Sequence, residues 1–249
     1  LREPWGWRKL DASRYDLAVQ RSETQSLGRM EWREDQGTQG VTTLSKCEEL
    51  SMNLDAVYHD RQAAGTGADA DLLILVDAAD NEVGHMSKAS CHDGPGTLHR
   101  AFSILIFNAH GELLLQQRAA SKRLWPLYWS NSCCSHPRRA ETIAAATQRR
   151  LREELGLSSD LTFLYKFQYQ VQFDASGAEN ELCSVFIGRS DLVPTVDRSE
   201  IYAWRWVAPE ALSREMTEHG AQKFTPWFLL EWDRIWREHR SAVLNLRAP

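Results

Sequence analysis

The apolar and polar positions of the chain fall into two regimes. Residues 1–70 are polar, rich in Gln, Arg and Glu, and carry no sustained alternation. Within them, 42–62 places Leu44, Cys47, Leu50, Leu54 and Val57 at roughly helical spacing and predicts one amphipathic helix. AAGTGADAD (63–71) then reads as a linker. From residue 71 the pattern sharpens. LLILVDA (72–78) predicts a buried strand, with ADNEVG as the turn that follows it. HRAFSILIFNA and ELLLQQRA predict two further strands joined through Ala-His-Gly as a hairpin.

AETIAAATQRRLREELGL (140–157) predicts a helix with Ile143, Thr147, Leu151 and Leu155 as its apolar stripe and Gly156 at its stop. FLYKFQYQVQF (163–173) alternates most cleanly. It sets Phe163, Tyr165, Phe167, Tyr169, Val171 and Phe173 on one face against Lys166, Gln168, Gln170 and Gln172. DASG turns it back into ENELCSVFIG, and FTPWFLLEWDRIWREHR opens a second helix with Thr225 as N-cap and Pro226 at the first helical position. Strands of this kind with two substantial helices predict an α+β or α/β sandwich over 71–249, with 1–70 as an N-terminal extension, partly helical or flexible.

Composition narrows the function classes. The chain has 249 residues, 43% hydrophobic and 25% charged, enough for one large domain with an extension. A net charge of −5 argues against a general nucleic-acid binder, and no apolar run reaches transmembrane length. The start of the sequence carries no apolar signal-peptide region. The cysteines, at 47, 91, 133, 134 and 183, are odd in number and without framework spacing, so reduced thiols and a cytoplasmic location are expected.

The chemistry-bearing residues cluster around NSCCSHPRR (131–139). Adjacent cysteines do not form a relaxed disulfide, and Cys-Cys-x-His is not a zinc-knuckle spacing. Glu179 and Glu181 stand two apart on a strand, so both carboxylates project from one face, where they repel unless a cation or a shared proton compensates. His92, His99 and His136 are natural complements, and the five together make a candidate site for Zn²⁺, Mn²⁺ or Mg²⁺. The alternative is satisfied histidines and solvated glutamates. Arg118, Lys122 and Arg150, with Glu154 one turn beyond Arg150, suit a diphosphate with Mg²⁺, or else form a solvated helix face. Tyr169 and Trp227 offer aromatic faces to a cation, or pack.

The helix 140–157 and the residues before it also resemble the Nudix box, Gly-x5-Glu-x7-Arg-Glu-U-x-Glu-Glu-x-Gly-U, where U is apolar. Glu141, Arg149, Leu151, Glu153, Glu154, Gly156 and Leu157 match in register. Ser135 stands at the leading glycine, and Arg150 replaces a metal-holding glutamate, so the resemblance implies the fold while the hydrolase chemistry is put in question. LHRAFSILIFNAHGELLLQQRAASKRLWPLYWSNSCCSHP, the altered box, ENELC and TPWF, in that order, resemble type I isopentenyl-diphosphate isomerases over roughly residues 70–240. That resemblance implies a Nudix-like α/β/α sandwich with a mixed sheet. It implies a flavin-independent, metal-dependent isomerase that interconverts isopentenyl and dimethylallyl diphosphate in isoprenoid precursor biosynthesis. Cys134 matches the catalytic thiol; His92, His99, His136, Glu179 and Glu181 match the metal set, with Glu181 also handling a proton. Lys88, Arg118, Lys122 and Arg150 match diphosphate contacts, Glu154 a ligand of a diphosphate-bridging Mg²⁺, and Tyr169 and Trp227 aromatics beside the reacting carbons. The implied partner is a small prenyl diphosphate, with neither nucleic acid nor membrane involved.

Overall fold

The computed structural model describes residues 72–246. The helix expected at 42–62, the linker at 63–71 and the N-terminal extension as a whole lie outside the described residues. In chain order the elements are β1 (Leu72–Val76), β2 (Glu82–Ser87), α1 (Lys88–Cys91), β3 (His99–Phe107), β4 (Leu113–Arg118), β5 (Trp129–Ser130) and β6 (Cys133–Ser135). Then come α2 (Ile143–Leu155), β7 (Leu161–Asp174), β8 (Gly177–Arg189), β9 (Ile201–Val207), α3 (Pro209–His219), α4 (Pro226–Glu238) and α5 (Arg240–Leu244).

β3 is the centre of the sheet because AFSILIF is apolar on both pleat faces, the pattern of a strand covered on both sides. It pairs with β1, β4 and β6 antiparallel and with β8 parallel. β7 extends the sheet from β8, and β9 extends it from β4. The sheet is therefore mixed, as expected. One face packs on α2, where Phe102, Ile104, Ile106, Leu114 and Cys133 meet Ala146, Leu151 and Leu155. The other packs Leu105, Tyr165, Tyr169 and Val185 on Trp227, Phe228, Trp232 and Ile235 of α4. A fully buried leucine contributes about 1.5–3 kcal/mol by leaving water, so Leu151 and Leu155 anchor α2.

Local chemistry sets the ends of α2. The Thr142 hydroxyl accepts from the Ala145 N–H at 3.2 Å, and Gly156, at φ 65°, adopts the left-handed turn that closes the helix. A side chain at Gly156 would also press on Thr195, 3.1 Å from the Cβ it would carry. Thr225 occupies the N-cap of α4 as expected, but its hydroxyl bonds Ser130 Oγ at 2.9 Å and makes no cap bond.

Three details differ from the pattern reading. The segment expected as a turn after β1 turns only at its start; Glu82–Ser87 continues as β2 and pairs back on β1. β9 and α3 were not singled out, because IYAWRWV and PEALSREMTEH carry mixed signals with much half-exposed surface. Phe163 leaves the aromatic face of β7. The register shifts between Phe163 and Tyr165, and this bulge turns Phe163 to the opposite face, 52% exposed and 5.6 Å from the Phe186 ring. No helix of the described residues is long and apolar enough to cross a membrane.

Candidate active site

Sheet register brings the expected residues together. Tyr169 of β7 lies opposite Glu181 of β8, which lies opposite His99 of β3, so the three share one face in one row. Two rows along, Tyr165, Val185, Ser103 and Cys134 form another row on the same face. Cys133, one residue away, points to the other face and is buried against α2. The pleat thus answers why the two adjacent cysteines differ.

His92 follows the single turn of α1, and His136 follows β6 directly. The loop after His136 is clamped by Glu141, which accepts from Arg149 at 2.7 and 2.8 Å and from the Arg138 N–H at 2.9 Å. Two residues of the Nudix box therefore hold the loop that carries a site histidine. Ser135 stands where the box has glycine, and it lies in β6 without a positive φ, so no glycine is required there. Gly177 is the opposite case. It adopts φ 148°, and a Cβ would fall 2.1 Å from the His92 carbonyl oxygen, so only glycine lets the β7–β8 turn close on the His92 loop.

His92, His99, His136, Glu179 and Glu181 converge, all buried, with one candidate ligand atom from each within 4.8 Å of the others. Backbone carbonyls aim the rings. His92 Nδ1 lies 2.6 Å from the Lys88 oxygen and His99 Nδ1 2.7 Å from the Thr97 oxygen, so each Nδ1 carries a proton and each Nε2 is turned to the cluster. His99 Nε2 presents a lone pair, whereas the His92 pKa, opposed by burial, is raised by Glu179 beside its Nε2. His99 Nε2 and Glu179 Oε2 have no hydrogen-bond partner. His92 Nε2 faces Glu179 Oε2 at 2.8 Å without hydrogen-bond alignment, the relation of two atoms that converge on a third. His136 Nε2 and Tyr169 Oη contact the two oxygens of Glu181, at 2.8 and 2.7 Å.

Burial, and then the neighbouring histidines, hold His136 well below its usual pKa, and burial lowers His99 to about 4. Both rings are neutral, the form that ligates metals. Burial pushes Glu181 well up, and the adjacent Glu179 adds to this. Glu179 is opposed by burial but ends lowered through His92. Orphaned nitrogen and oxygen atoms, three imidazoles and two carboxylates in a buried pocket fit a divalent cation of the Mn²⁺, Zn²⁺ or Mg²⁺ type.

A cleft of about 330 Å³ opens beside this cluster, lined by Glu179, Glu181, Tyr169 and Cys134 at one end and by Lys88, Arg118, Lys122 and Arg150 at the other. Arg118 is fixed by the Leu124 and Trp125 carbonyls, with its guanidinium 5.4 Å from the Trp227 ring centroid. Lys122 pairs with Glu200, which also takes Arg150 at 3.0 Å. Burial, then the neighbouring Lys88, lowers Lys122 to about 8. Lys88 is lowered too, by desolvation and by Arg150 and Arg118 against the pull of Glu179 and Glu154. Cations that repel one another in this way form a receptor for a polyanion. Glu154 stands behind Arg150 instead of lining the cleft: it is 3% exposed, with Oε1 bonded to Arg150 Nε at 3.1 Å. A second cation at Glu154 would need that ion pair to open.

Trp227, 3% exposed, stacks near Tyr169 with centroids 6.2 Å apart and meets Trp125 edge-on at 5.2 Å. Trp125 holds a positive φ of 46°, a strained backbone that completes the aromatic wall. Cys134 Sγ donates to Asn131 Oδ1 at 2.7 Å and lies 3.1 Å from Ser103 Oγ. Burial holds the thiol pKa well above its usual value, with Glu231 adding to this. Every expected site residue except Glu154 borders the cleft or the histidine cluster. Ser103, Asn131, Glu200, Trp125 and Glu231 were not anticipated. For Glu231 a signal existed, a glutamate at i+4 from Trp227 on the apolar stripe of α4.

The NUDIX domain family matches residues 97–228. A protein of Photorhabdus laumondii named isopentenyl-diphosphate Delta-isomerase 1 is 44% identical over 170 residues, covering 67% of this chain and 96% of that protein. A Nocardia farcinica protein named isopentenyl-diphosphate Delta-isomerase is 44% identical over 154 residues, 61% of this chain and 87% of that one. A crystal structure from Deinococcus radiodurans superposes with a TM-score of 0.53 at 23% identity, over 64% of this chain and 96% of that one, a likeness of fold.

Proposed function

The chain belongs to the isopentenyl-diphosphate Delta-isomerase family within the Nudix superfamily and interconverts isopentenyl and dimethylallyl diphosphate, and we propose that it does so with two proton carriers, Glu181 and Cys134, in one buried cleft. The observation that carries this reading is the row-by-row placement of Tyr169, Glu181 and Cys134 on one sheet face, opening into a cleft whose other end is basic.

An unactivated alkene is a weak base, so adding a proton at C4 requires a strong acid in a dry site. Glu181 fits this role, buried, raised in pKa and hydrogen-bonded to the Tyr169 hydroxyl, which relays or polarises the proton. A divalent cation held by His92, His99, His136, Glu179 and Glu181 would supply fixed positive charge that sets the geometry and acidity of Glu181. Protonation leaves positive charge at the tertiary C3. The faces of Trp227 and Tyr169 stabilise that charge by about 0.5–2 kcal/mol, and their burial excludes the water that would trap it as an alcohol.

Cys134 acts here as the thiolate. Its own hydrogen, held on Asn131 in the empty cleft where burial raises the thiol pKa, must leave to solvent before the substrate is enclosed. The Cys134 sulfur then takes a proton from C2, and the roles exchange in the reverse direction. Its sulfur is half-buried at the cleft wall, oriented by Asn131 and Ser103. Lys88, Arg118, Lys122 and Arg150 anchor the diphosphate, which stays intact, and this anchoring positions the short hydrocarbon between the two proton carriers. Arg150, a cation where the hydrolase box has an acid, ties up Glu153, Glu154 and Glu200, and this supports binding of a diphosphate over its cleavage. A Mg²⁺ for the diphosphate, which Glu154 would help to hold once its ion pair with Arg150 opens, and a cytoplasmic location belong to this reading as well, the latter supported by the free thiols of Cys91, Cys133, Cys134 and Cys183.

The test is product analysis in D2O with isopentenyl diphosphate and a divalent metal. The reading expects dimethylallyl diphosphate with deuterium in a methyl group and no released phosphate. Phosphate without the isomer would replace it with a hydrolase.

A further inference from the structure

The segments that carry the site meet at its rim on one side chain that the proton transfers do not use. Arg123 follows Lys122 in the loop between β4 and β5 and borders the cleft, with its side chain 43% exposed. Its Nη1 donates to the Ala89 carbonyl of α1 at 3.1 Å. Its Nη2 donates to the Asp93 carboxylate and to the Ser176 carbonyl in the turn between β7 and β8. All three acceptors are chain neighbours of site residues: Ala89 follows Lys88, Asp93 follows His92, and Ser176 stands three residues before Glu179. One guanidinium therefore joins the loop of one diphosphate cation to the helix of another and to the segments of two candidate metal ligands.

The His92 loop, between α1 and β3, has no regular structure of its own and turns on Gly94 and Gly96, both at positive φ. Bonds from the β7–β8 hairpin hold one side of it. The Ala178 N–H donates to the His92 carbonyl at 3.0 Å, and the Gln172, Gln170 and Asn180 amides donate to the Gly94, Pro95 and Gly96 carbonyls at 3.1, 2.8 and 3.1 Å. These bonds fix the loop relative to the hairpin that carries Glu179. None of them reaches the loop that carries Lys122, and Arg123 supplies that link. Its Nη2 lies over Gly177, 3.3 Å from where a Cβ would stand, the same glycine that lets the turn approach the His92 carbonyl.

An exposed ion pair such as Arg123 with Asp93 contributes little stability by itself. A planar fork that bonds two main-chain carbonyls as well fixes directions, which a point charge on a flexible stem does not. The residue is thus placed to set geometry more than to hold the fold. We propose that Arg123 is a positioning residue that ties the metal end of the cleft to its basic end, holding the His92 loop and the turn before Glu179 at a set distance from Lys122. The inference rests on the reading of the histidine–glutamate cluster as a divalent-metal site.

The experiment compares Arg123→Met, Arg123→Lys, Asp93→Ala and the double variant Arg123→Met with Asp93→Ala, in the full chain. For each, Zn²⁺ and Mn²⁺ dissociation constants are measured by competition with a chelating dye. The melting temperature of the metal-free protein, and kcat and KM at saturating metal, are measured alongside. Arg123→Met is expected to melt near the unmodified protein, to bind both ions about tenfold more weakly, and to lose about three- to tenfold in kcat/KM. The sign is diagnostic: a guanidinium beside a cation site repels the cation, so a purely electrostatic role would tighten metal binding when the charge is removed. Arg123→Lys, charged but without the fork, should stay within about threefold of Arg123→Met in metal affinity. In the Asp93→Ala background, Arg123→Met should cost less than it does alone.

Unchanged or tighter metal binding in a folded Arg123→Met protein would overturn the proposal, as would full recovery by Arg123→Lys. Failure of Arg123→Met to fold would also overturn it, by assigning Arg123 to the fold. His99→Ala separates the two readings. If it binds Zn²⁺ as tightly as the unmodified protein, the cluster is not the metal site and both readings fall. If it loses Zn²⁺ while Arg123→Met does not, only the positioning role fails.

Discussion

The two faces of the central sheet are made from the same strands and answer to different demands. Toward α2, Phe102, Ile104, Cys133, Leu151 and Leu155 are fully buried and pack side chain on side chain. Toward α4, the neighbouring positions include Ser103, Cys134 and Glu181, and the covering helix contributes Glu231. The first face holds the domain together. The second keeps unpaired polar atoms in an apolar setting, a stability cost accepted where chemistry needs dry donors and acceptors. Cys133 and Cys134 carry the comparison within two adjacent residues.

The largest effect should fall on the second face. Glu181→Gln keeps the shape of the side chain but removes its ionisable proton, and kcat/KM is expected to fall by about 10²–10⁴, read by isomer formation at saturating metal. On the first face, Leu155→Ala should cost about 2–5 kcal/mol in urea unfolding while the folded fraction keeps its kcat. A large kcat loss there would show that the faces are not separable. Arg150→Gln sits between the two, at the basic end of the cleft. Losing its charged contacts should raise KM by about 10–100-fold, with a smaller change in kcat.

The last expectation is a pH dependence. Glu231 has a folded pKa raised to about 8 against an unfolded value near 4.5. The folded state holds this proton more tightly, so the stability it contributes is complete below the unfolded value and is lost as pH rises toward 8. Glu231→Gln should flatten that part of the melting-temperature profile between pH 5 and pH 8. An unchanged slope would mean that the carboxyl ionises freely in the fold.

Much of this was legible in the sequence, for physical reasons that can be named. α2, β3, β7 and β8 announce themselves because each repeats its period over many residues and ends on a cap or a turn. The bulge beside Leu164 was not legible, since it keeps the alternation in sequence while reversing the face of Phe163 in space. The cleft residues were legible through ordered motifs and family likeness, whereas spacing alone left His92, His99, His136, Glu179 and Glu181 open to a bland reading. Their convergence needs the register of β3 against β8 and the close approach at Gly177, both of them long-range facts. Asn131 and Ser103 act through contacts with Cys134 that only pairing of β6 on β3 reveals.

The most direct test of the division between the faces uses the cysteine pair itself. Conversion of labelled isopentenyl diphosphate should be followed for the unmodified chain, Cys133→Ala and Cys134→Ala under identical metal and protein concentrations. The account predicts near-normal turnover for Cys133→Ala, with some loss of stability, and turnover reduced by about 10²–10⁴ for Cys134→Ala in a protein that remains folded. Comparable turnover in the two variants would contradict it.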